Sequence, residues 1–310
     1  MEYVTLGKTA VKLTKLTFGC WEMGGAQWEH TSDDNNLRAI AVALDKGLTT
    51  FDTAEGYGKG HSEEVLGKAL KGKRDKCFVA TKVSPEHLRA QDIRSSITAS
   101  LKHLDTDYVD LYYIHWPNKD IPLEETMTEM SKLKKEGLIR AIGVSNFTAP
   151  LLKQALAFDR IEAIQNEWSL LQRDIEKELE SFCVEQQISI MSYSSIAKGI
   201  LTGAFHFGGV TLKADDFRAP RRLFHPDHLK KERPLLDAMK EIADRNHILL
   251  SQLAISWLLH KRSLCSAIVG TQSEKHFIEN IQALDISLSG EDIARLDAVS
   301  AQALVEIDGK

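Results

Sequence analysis

Eight short apolar runs, each followed by a stretch with helical periodicity, constrain this chain more than any other feature. The runs are Leu16–Gly19, Thr49–Asp52, Cys77–Lys82, Tyr108–His115, Ile139–Ser145, Ala163–Asn166, Ile188–Tyr193 and Ala267–Gly270. Helical patterns cover residues 33–46, 62–70, 91–104, 123–136, 149–157, 174–186, 235–246, 251–260, 274–283 and 290–299. Strands joined through helices run parallel, because a parallel pair needs a crossover connection. Eight such units fit an α/β fold closed as a (β/α)8 TIM barrel. A doubly wound sheet is the competing arrangement. It usually carries GxGxxG after its first strand, whereas here that strand ends FGCWEMGG. Ahead of the repeat, Tyr3–Leu6, a Gly7-Lys8 turn and Val11–Leu13 read as a small hairpin. We find no boundary, internal repeat or low-complexity segment, so residues 1–310 read as one barrel domain.

Composition excludes several function classes. With 310 residues, 43% of them hydrophobic, the chain can bury a large core. A formal net charge of -5 does not suit a nucleic-acid partner. No apolar run reaches the length of a membrane span, and MEYVTLGKTAVKL lacks the apolar core of a signal peptide. Cys20, Cys77, Cys183 and Cys265 are scattered, with no CxxC, and read as free thiols of a cytoplasmic protein. His225 and His228 are spaced HxxH without an obvious third ligand, so we expect no metal.

In such a barrel the chemistry sits at the C-terminal strand ends. The second strand ends at Asp52, the third at Lys82 and the fourth at His115. Side chains alternate along a strand, so an inward His115 puts Tyr113, Leu111 and Val109 beneath it, and an inward Lys82 puts Ala80 and Phe78 beneath it. Tyr57 follows Asp52 inside the glycine-rich turn Gly56-Tyr57-Gly58-Lys59-Gly60. Singly, each residue has a plain structural use: a cap, a snorkelling lysine, a satisfied core histidine. Together they suit proton delivery to an oxygen. A free phenol is a poor acid at neutral pH, and a neighbouring ammonium lowers its pKa. Asp52 can hold Lys82, and His115 can position a carbonyl oxygen.

These stretches resemble the aldo-keto reductase family. GLTTFDTAEGYGKGHSEEVLG at 47–67 is similar to the family's first signature, ATK at 80–82 to its lysine strand, DLYYIHWP at 110–117 to its histidine strand, and IRAIGVSNF at 139–147 to its fifth strand. The resemblance runs from about residue 3 to 300. It implies a barrel whose bottom is capped by the N-terminal hairpin. It also implies a tetrad of Tyr57, Asp52, Lys82 and His115 with Tyr57 as proton donor, and a nicotinamide cofactor bound without a Rossmann domain. The implied function is NAD(P)H-dependent reduction of aldehydes or ketones, or oxidation of the corresponding alcohols or sugars. A cofactor-sensing regulatory subunit of the potassium-channel β type is the alternative, although no long N-terminal extension or interaction tail is present.

The same resemblance carries over further residues. Ser145, Asn146 and Gln165 are implied to hold the nicotinamide carboxamide, which needs donors and acceptors together. Tyr193 is implied to stack on the ring. Ser194, Ile196, Lys198, Gly199 and Leu201 belong to a stretch similar to the family's pyrophosphate-side loop, with Ser195 where proline is usual. At IVGTQSEKHFIEN, Gly270 precedes a helix N-terminus of the kind that suits a phosphate, and Glu279 and Asn280 match adenine contacts. Gln272 and His276 stand where relatives place Arg or Lys against a 2′-phosphate. Losing a charge-assisted bond weakens such a contact by about 1.5–3 kcal/mol. We expect NADP(H) by family, with NAD(H) or dual use possible. Trp21 and Trp116, with Trp28 a further possibility, are expected to line the pocket for a small-molecule carbonyl or alcohol substrate. Residues 203–229 could form a lid.

Overall fold

The computed structural model describes residues 1–25, 32–271 and 273–309, so Trp28 and Gln272 lie outside the described residues. Two compact units can be told apart. One comprises Met1–Asn166, Ile175–Tyr193 and Ser263–Ile278, the other Glu167–Asp174, Ser194–Arg262 and Glu279–Lys310.

The first unit holds the sheet structure. Strands β1 (Tyr3–Thr5) and β2 (Lys12–Thr14) pair antiparallel as the expected hairpin. The closed barrel follows as β3 (Leu16–Gly19), β4 (Thr50–Asp52), β5 (Phe78–Val83), β6 (Leu111–Ile114), β7 (Ile142–Ser145), β8 (Ala163–Glu167), β9 (Ser189–Tyr193) and β10 (Leu264–Gly270), with β10 returning to pair with β3. The α/β barrel read from the repeat is therefore the fold. Helices α1 (Asp33–Asp45), α2 (His61–Leu70), α3 (Ala90–His103), α4 (Leu123–Glu136), α5 (Ala149–Ala155) and α6 (Leu179–Gln186) alternate with the strands.

Interior packing explains why the barrel is closed at one end. Phe78, Ala80, Leu111, Tyr113, Ala163, Met191 and Cys265 point inward, as strand alternation predicts for an inward Lys82 and His115. Leu6 and Leu13 of the hairpin are fully buried in the same cluster. The hairpin is tied down at the N-terminal strand ends: Thr14 N–H donates to Thr50 Oγ1 at 2.7 Å and Gly7 N–H to Ser189 Oγ at 2.8 Å. On the outer face, the Phe18 ring packs at a tilt against Phe51 and against Phe277. The four cysteines are all free and buried.

In the second unit, α7 (Pro226–Asn246), α8 (Leu250–Leu259) and α10 (Gly290–Asp308) pack together. Helix α9 is Glu274–Ile281, and the division between the two residue ranges falls after Ile278. Trp257 Nε1, Lys261 Nζ and Arg173 converge on Asp297, each at 3.1 Å. No helix of the described residues is long and apolar enough to cross a membrane.

The strands expected from 108 and 139 begin at Leu111 and Ile142, the one expected from 267 begins at Leu264, and three helix boundaries depart further. The run expected as one helix over 174–186 is a 3-10 turn at Asp174–Glu176 followed by α6, because Glu178 adopts φ −119° and breaks the helix. Helix α7 begins at Pro226 rather than 235 and runs through Pro234. A mid-helix proline costs about 3 kcal/mol. Burial of the apolar Leu235, Leu236, Met239, Ile242 and Ala243 along one face offsets it, and Pro226 with the His225 cap starts the helix. Helix α10 continues to Asp308 because Ser300, Ala303 and Ile307 extend its buried stripe.

Gly143 faces Tyr113 across the β6–β7 register, and a methyl there would overlap the tyrosine ring. Gly143→Ala should destabilise the protein by about 1–3 kcal/mol through overpacking. Urea denaturation checks this, and an unchanged midpoint would show that the interior yields.

Candidate active site

The parallel register brings the polar strand ends to one rim. Asp52 pairs with Ala80, two residues before Lys82, and Lys82 pairs with Tyr113, two before His115. Lys82 is fully buried, yet each of its three ammonium donors has a partner. Nζ donates to Asp52 Oδ1 at 2.5 Å, to the Thr53 carbonyl at 2.7 Å and to the Tyr57 hydroxyl oxygen at 3.1 Å. Since Lys82 occupies a lone pair of the phenol oxygen, the phenol proton is left to point elsewhere. Tyr57 is held by a tight turn, with its N–H donating to the Ala54 carbonyl at 3.0 Å. Gly58 follows at φ +63°, and the space beside it is filled by the backbone of Gly24, so only glycine fits. The His115 ring lies edge-on to Tyr57, 5.7 Å between centroids.

The electrostatics correct one expectation. Burial by itself would lower the Lys82 pKa, but Asp52 and Tyr57 outweigh it and hold the ammonium above its usual value. Tyr57 is half-buried with an enclosed phenol oxygen, and that enclosure raises its pKa above 10. Lys82 pulls downward as expected, but burial dominates, so the net shift is upward rather than downward. Tyr57 is therefore a fully protonated phenol at neutral pH. Burial, then Lys82, pushes His115 down to about 3, so its imidazole is neutral.

Asp52 also connects to the residues expected at a carboxamide. Its Oδ2 accepts from Gln165 Nε2 at 2.7 Å. Ser145 Oγ donates to the Gln165 carbonyl at 2.8 Å. Asn146, at φ +63°, donates from Nδ2 to the His115 carbonyl and to Ser145 Oγ, both at 3.0 Å. Its Oδ1 accepts from the Tyr193 hydroxyl at 2.7 Å, which anchors that half-buried ring. Amide and hydroxyl groups of both senses beside one aromatic ring fit a primary carboxamide on a flat heterocycle, so the donor set fits a nicotinamide.

The remaining residues are placed as follows. In the Ser194–Gly203 loop, Ser194, Lys198 and Gly199 have left-handed φ values of 52°, 54° and 101°. Lys198 Nζ donates to Glu167 Oε1 at 2.5 Å and to Ser194 Oγ at 2.9 Å, so its charge is already balanced by Glu167, a partner the sequence reading missed. Ile196 is half-buried and Leu201 buried. Gly270 ends β10, His276 is exposed on α9, the Glu279 carbonyl accepts from Gln252 Nε2 at 2.9 Å, and Asn280 is buried. Trp21 is half-buried and Trp116 exposed. Glu22 was also missed: its carboxyl is enclosed beyond the end of β3, and an acidic residue three positions after a barrel strand end was the available signal.

Asp52 is the counter-charge that lets Lys82 stay ionised while buried. Asp52→Asn should cost about 3–5 kcal/mol in urea denaturation, because it leaves a buried cation uncompensated. A loss below about 1 kcal/mol would mean that Tyr57 and Thr53 suffice.

The family model described as "Aldo/keto reductase family" matches residues 15–301. Aldo-keto reductase YhdN of Bacillus subtilis (strain 168) is 33% identical, covering 88% of this chain and 85% of its own length. The NADH-specific methylglyoxal reductase of Escherichia coli (strain K12) is 31% identical, covering 98% of this chain and 99% of its own. Among solved structures, an aldo/keto reductase from Klebsiella pneumoniae in complex with NADP and acetate superposes with a TM-score of 0.77 at 32% identity, over 96% of this chain and 95% of that one. A match along nearly the whole length, on a barrel that gathers the expected polar strand ends, means that this chain belongs to the aldo/keto reductase family.

Proposed function

We propose that the protein interconverts a carbonyl compound and its alcohol at the Tyr57 rim, with NADP(H) as hydride carrier. The observation that carries this reading is Lys82, bonded to Asp52 at 2.5 Å and to the Tyr57 hydroxyl at 3.1 Å inside a buried rim. When bound, the nicotinamide supplies hydride to the carbonyl carbon in reduction and accepts it in oxidation. Tyr57 carries a proton at neutral pH and can give it to the carbonyl oxygen; His115, pushed to about 3, has no second proton to give. His115 instead donates one neutral hydrogen bond that orients the oxygen. The tyrosinate left behind sits 3.1 Å from the Lys82 ammonium, which stabilises it. Asp52 keeps that ammonium in place, and through Gln165 it ties the proton donor to the residues proposed for the carboxamide, Ser145, Asn146 and Gln165. Tyr193 is the proposed stacking partner. Ser194, Ile196, Lys198, Gly199 and Leu201 are proposed for the pyrophosphate side, and Gly270, His276, Glu279 and Asn280 for the adenosine end. Trp21 and Trp116 are proposed to flank the substrate.

Tyr57→Phe removes only the donating hydroxyl. Turnover of an aldehyde should fall by about 100- to 10,000-fold while NADPH still quenches intrinsic fluorescence. Near wild-type turnover would sink the role given to Tyr57. The NADP found in the Klebsiella relative supports the choice of cofactor, whereas the name of the Escherichia coli relative points to NADH. Initial rates with each cofactor against aldehydes, ketones, sugars and dicarbonyls should favour NADPH. A preference of more than about tenfold for NADH would overturn that choice.

A further inference from the structure

Glu22 lies in the turn Trp21–Gly24 that leaves β3, at the same rim as Asp52 and Lys82. The turn rests directly on the Tyr57 loop, with Gly24 against the backbone of Tyr57 and Gly58. From there the Glu22 side chain crosses to the end of β10, where a methyl on Gly270 would overlap both of its carboxyl oxygens. Gly270 pairs with Gly19 of β3 and lies four residues ahead of Glu274, the first residue of α9. The turn after the eighth barrel strand, ending in a helix N-terminus, is where barrels of this class hold phosphate. An ionised carboxylate beside Gly270 opposes an anion placed there, whereas a protonated one does not.

We propose that Glu22 controls cofactor binding at this end of the barrel, which admits a dinucleotide phosphate when the Glu22 carboxyl carries a proton. The proposal rests on the function proposed above. The surroundings agree. Burial raises the Glu22 carboxyl to about 7, so both forms exist near neutrality. Among the described residues, the titratable groups about it are these. On its own turn, Cys20 is pushed well upward by burial and stays a thiol. From the loop after β4, Tyr57 stays a phenol, with Lys82 and Asp52 paired to each other behind it. From α2, which packs on the turn, His61 is bonded to Asp33, and Glu63 to Thr81 and His103. On α9, Glu274, Lys275 and His276 are exposed.

The test is binding rather than turnover. NADPH and NADH affinities are measured by intrinsic fluorescence quenching from about pH 5.5 to 8.5 for wild type and Glu22→Gln. Wild-type affinity should fall by up to about tenfold per pH unit above pH 7, the slope of one linked proton, relative to the variant. Glu22→Gln should bind at all pH values as tightly as wild type does at low pH. Parallel slopes in the two proteins would assign any pH dependence to another group or to the cofactor and overturn the proposal. If the variant does not fold, calorimetry of wild type in buffers of differing ionisation enthalpy decides. Uptake approaching one proton on binding NADH at pH 8 supports the proposal, and no uptake overturns it. A wild-type protein that binds neither cofactor at any pH would overturn the proposed function instead.

Discussion

The buried Asp52–Lys82 ion pair is the interaction on which the rest of this site depends. Two charges taken out of water cost several kcal/mol each, and their attraction recovers this only when the remaining donors and acceptors are satisfied. Here they are. Lys82 spends its other donors on the Thr53 carbonyl and the Tyr57 hydroxyl, and the second oxygen of Asp52 takes the Gln165 amide. Such a pair adds little to stability over a hydrophobic replacement, so its use here is directional. It fixes a cation beside a phenol, and it links the phenol to a patch of amides and hydroxyls on the other side of the rim.

The barrel provides the conditions for that pair. Beneath Lys82 the interior is filled by Phe78, Ala80, Leu111 and Tyr113, and the far end is plugged by Leu6 and Leu13. Water is excluded from below, which raises the effective strength of each charge above. The same enclosure has an opposite effect on the phenol. Burial outweighs the ammonium, so Tyr57 is a protonated donor and not a pre-ionised one. Enclosure also empties His115 of its second proton and brings Glu22 to the edge of ionisation. One physical cause, desolvation at the rim, therefore acts on three neighbouring groups.

Much of this was legible in the chain. The alternation of strand and helix dictated a parallel sheet, and eight units without a GxGxxG turn after the first strand favoured a closed barrel over a doubly wound sheet. Strand period placed Asp52, Lys82 and His115 at the rim, because Phe78, Ala80, Leu111 and Tyr113 had to face inward for the core to form. Helix starts at Asp33 and Leu123 were readable from local signals. Local signals failed where tertiary burial outweighed them. Pro234 marks a helix start by propensity, yet the buried face of α7 carries the helix through it.

What the sequence determined by itself is the fold class and which side chains reach the barrel mouth, because both follow from periodicity and strand-end position, which are properties of the chain. What only the tertiary structure decided is how those side chains share protons and partners. That Asp52 bonds Lys82 and Gln165 at once, that Glu167 balances Lys198, and that Glu22 lies against Gly270 are contacts between residues far apart in sequence. The direction of the Tyr57 shift belongs there too. It is set by the competition between desolvation and one ammonium, and that balance exists only once the barrel has closed around both.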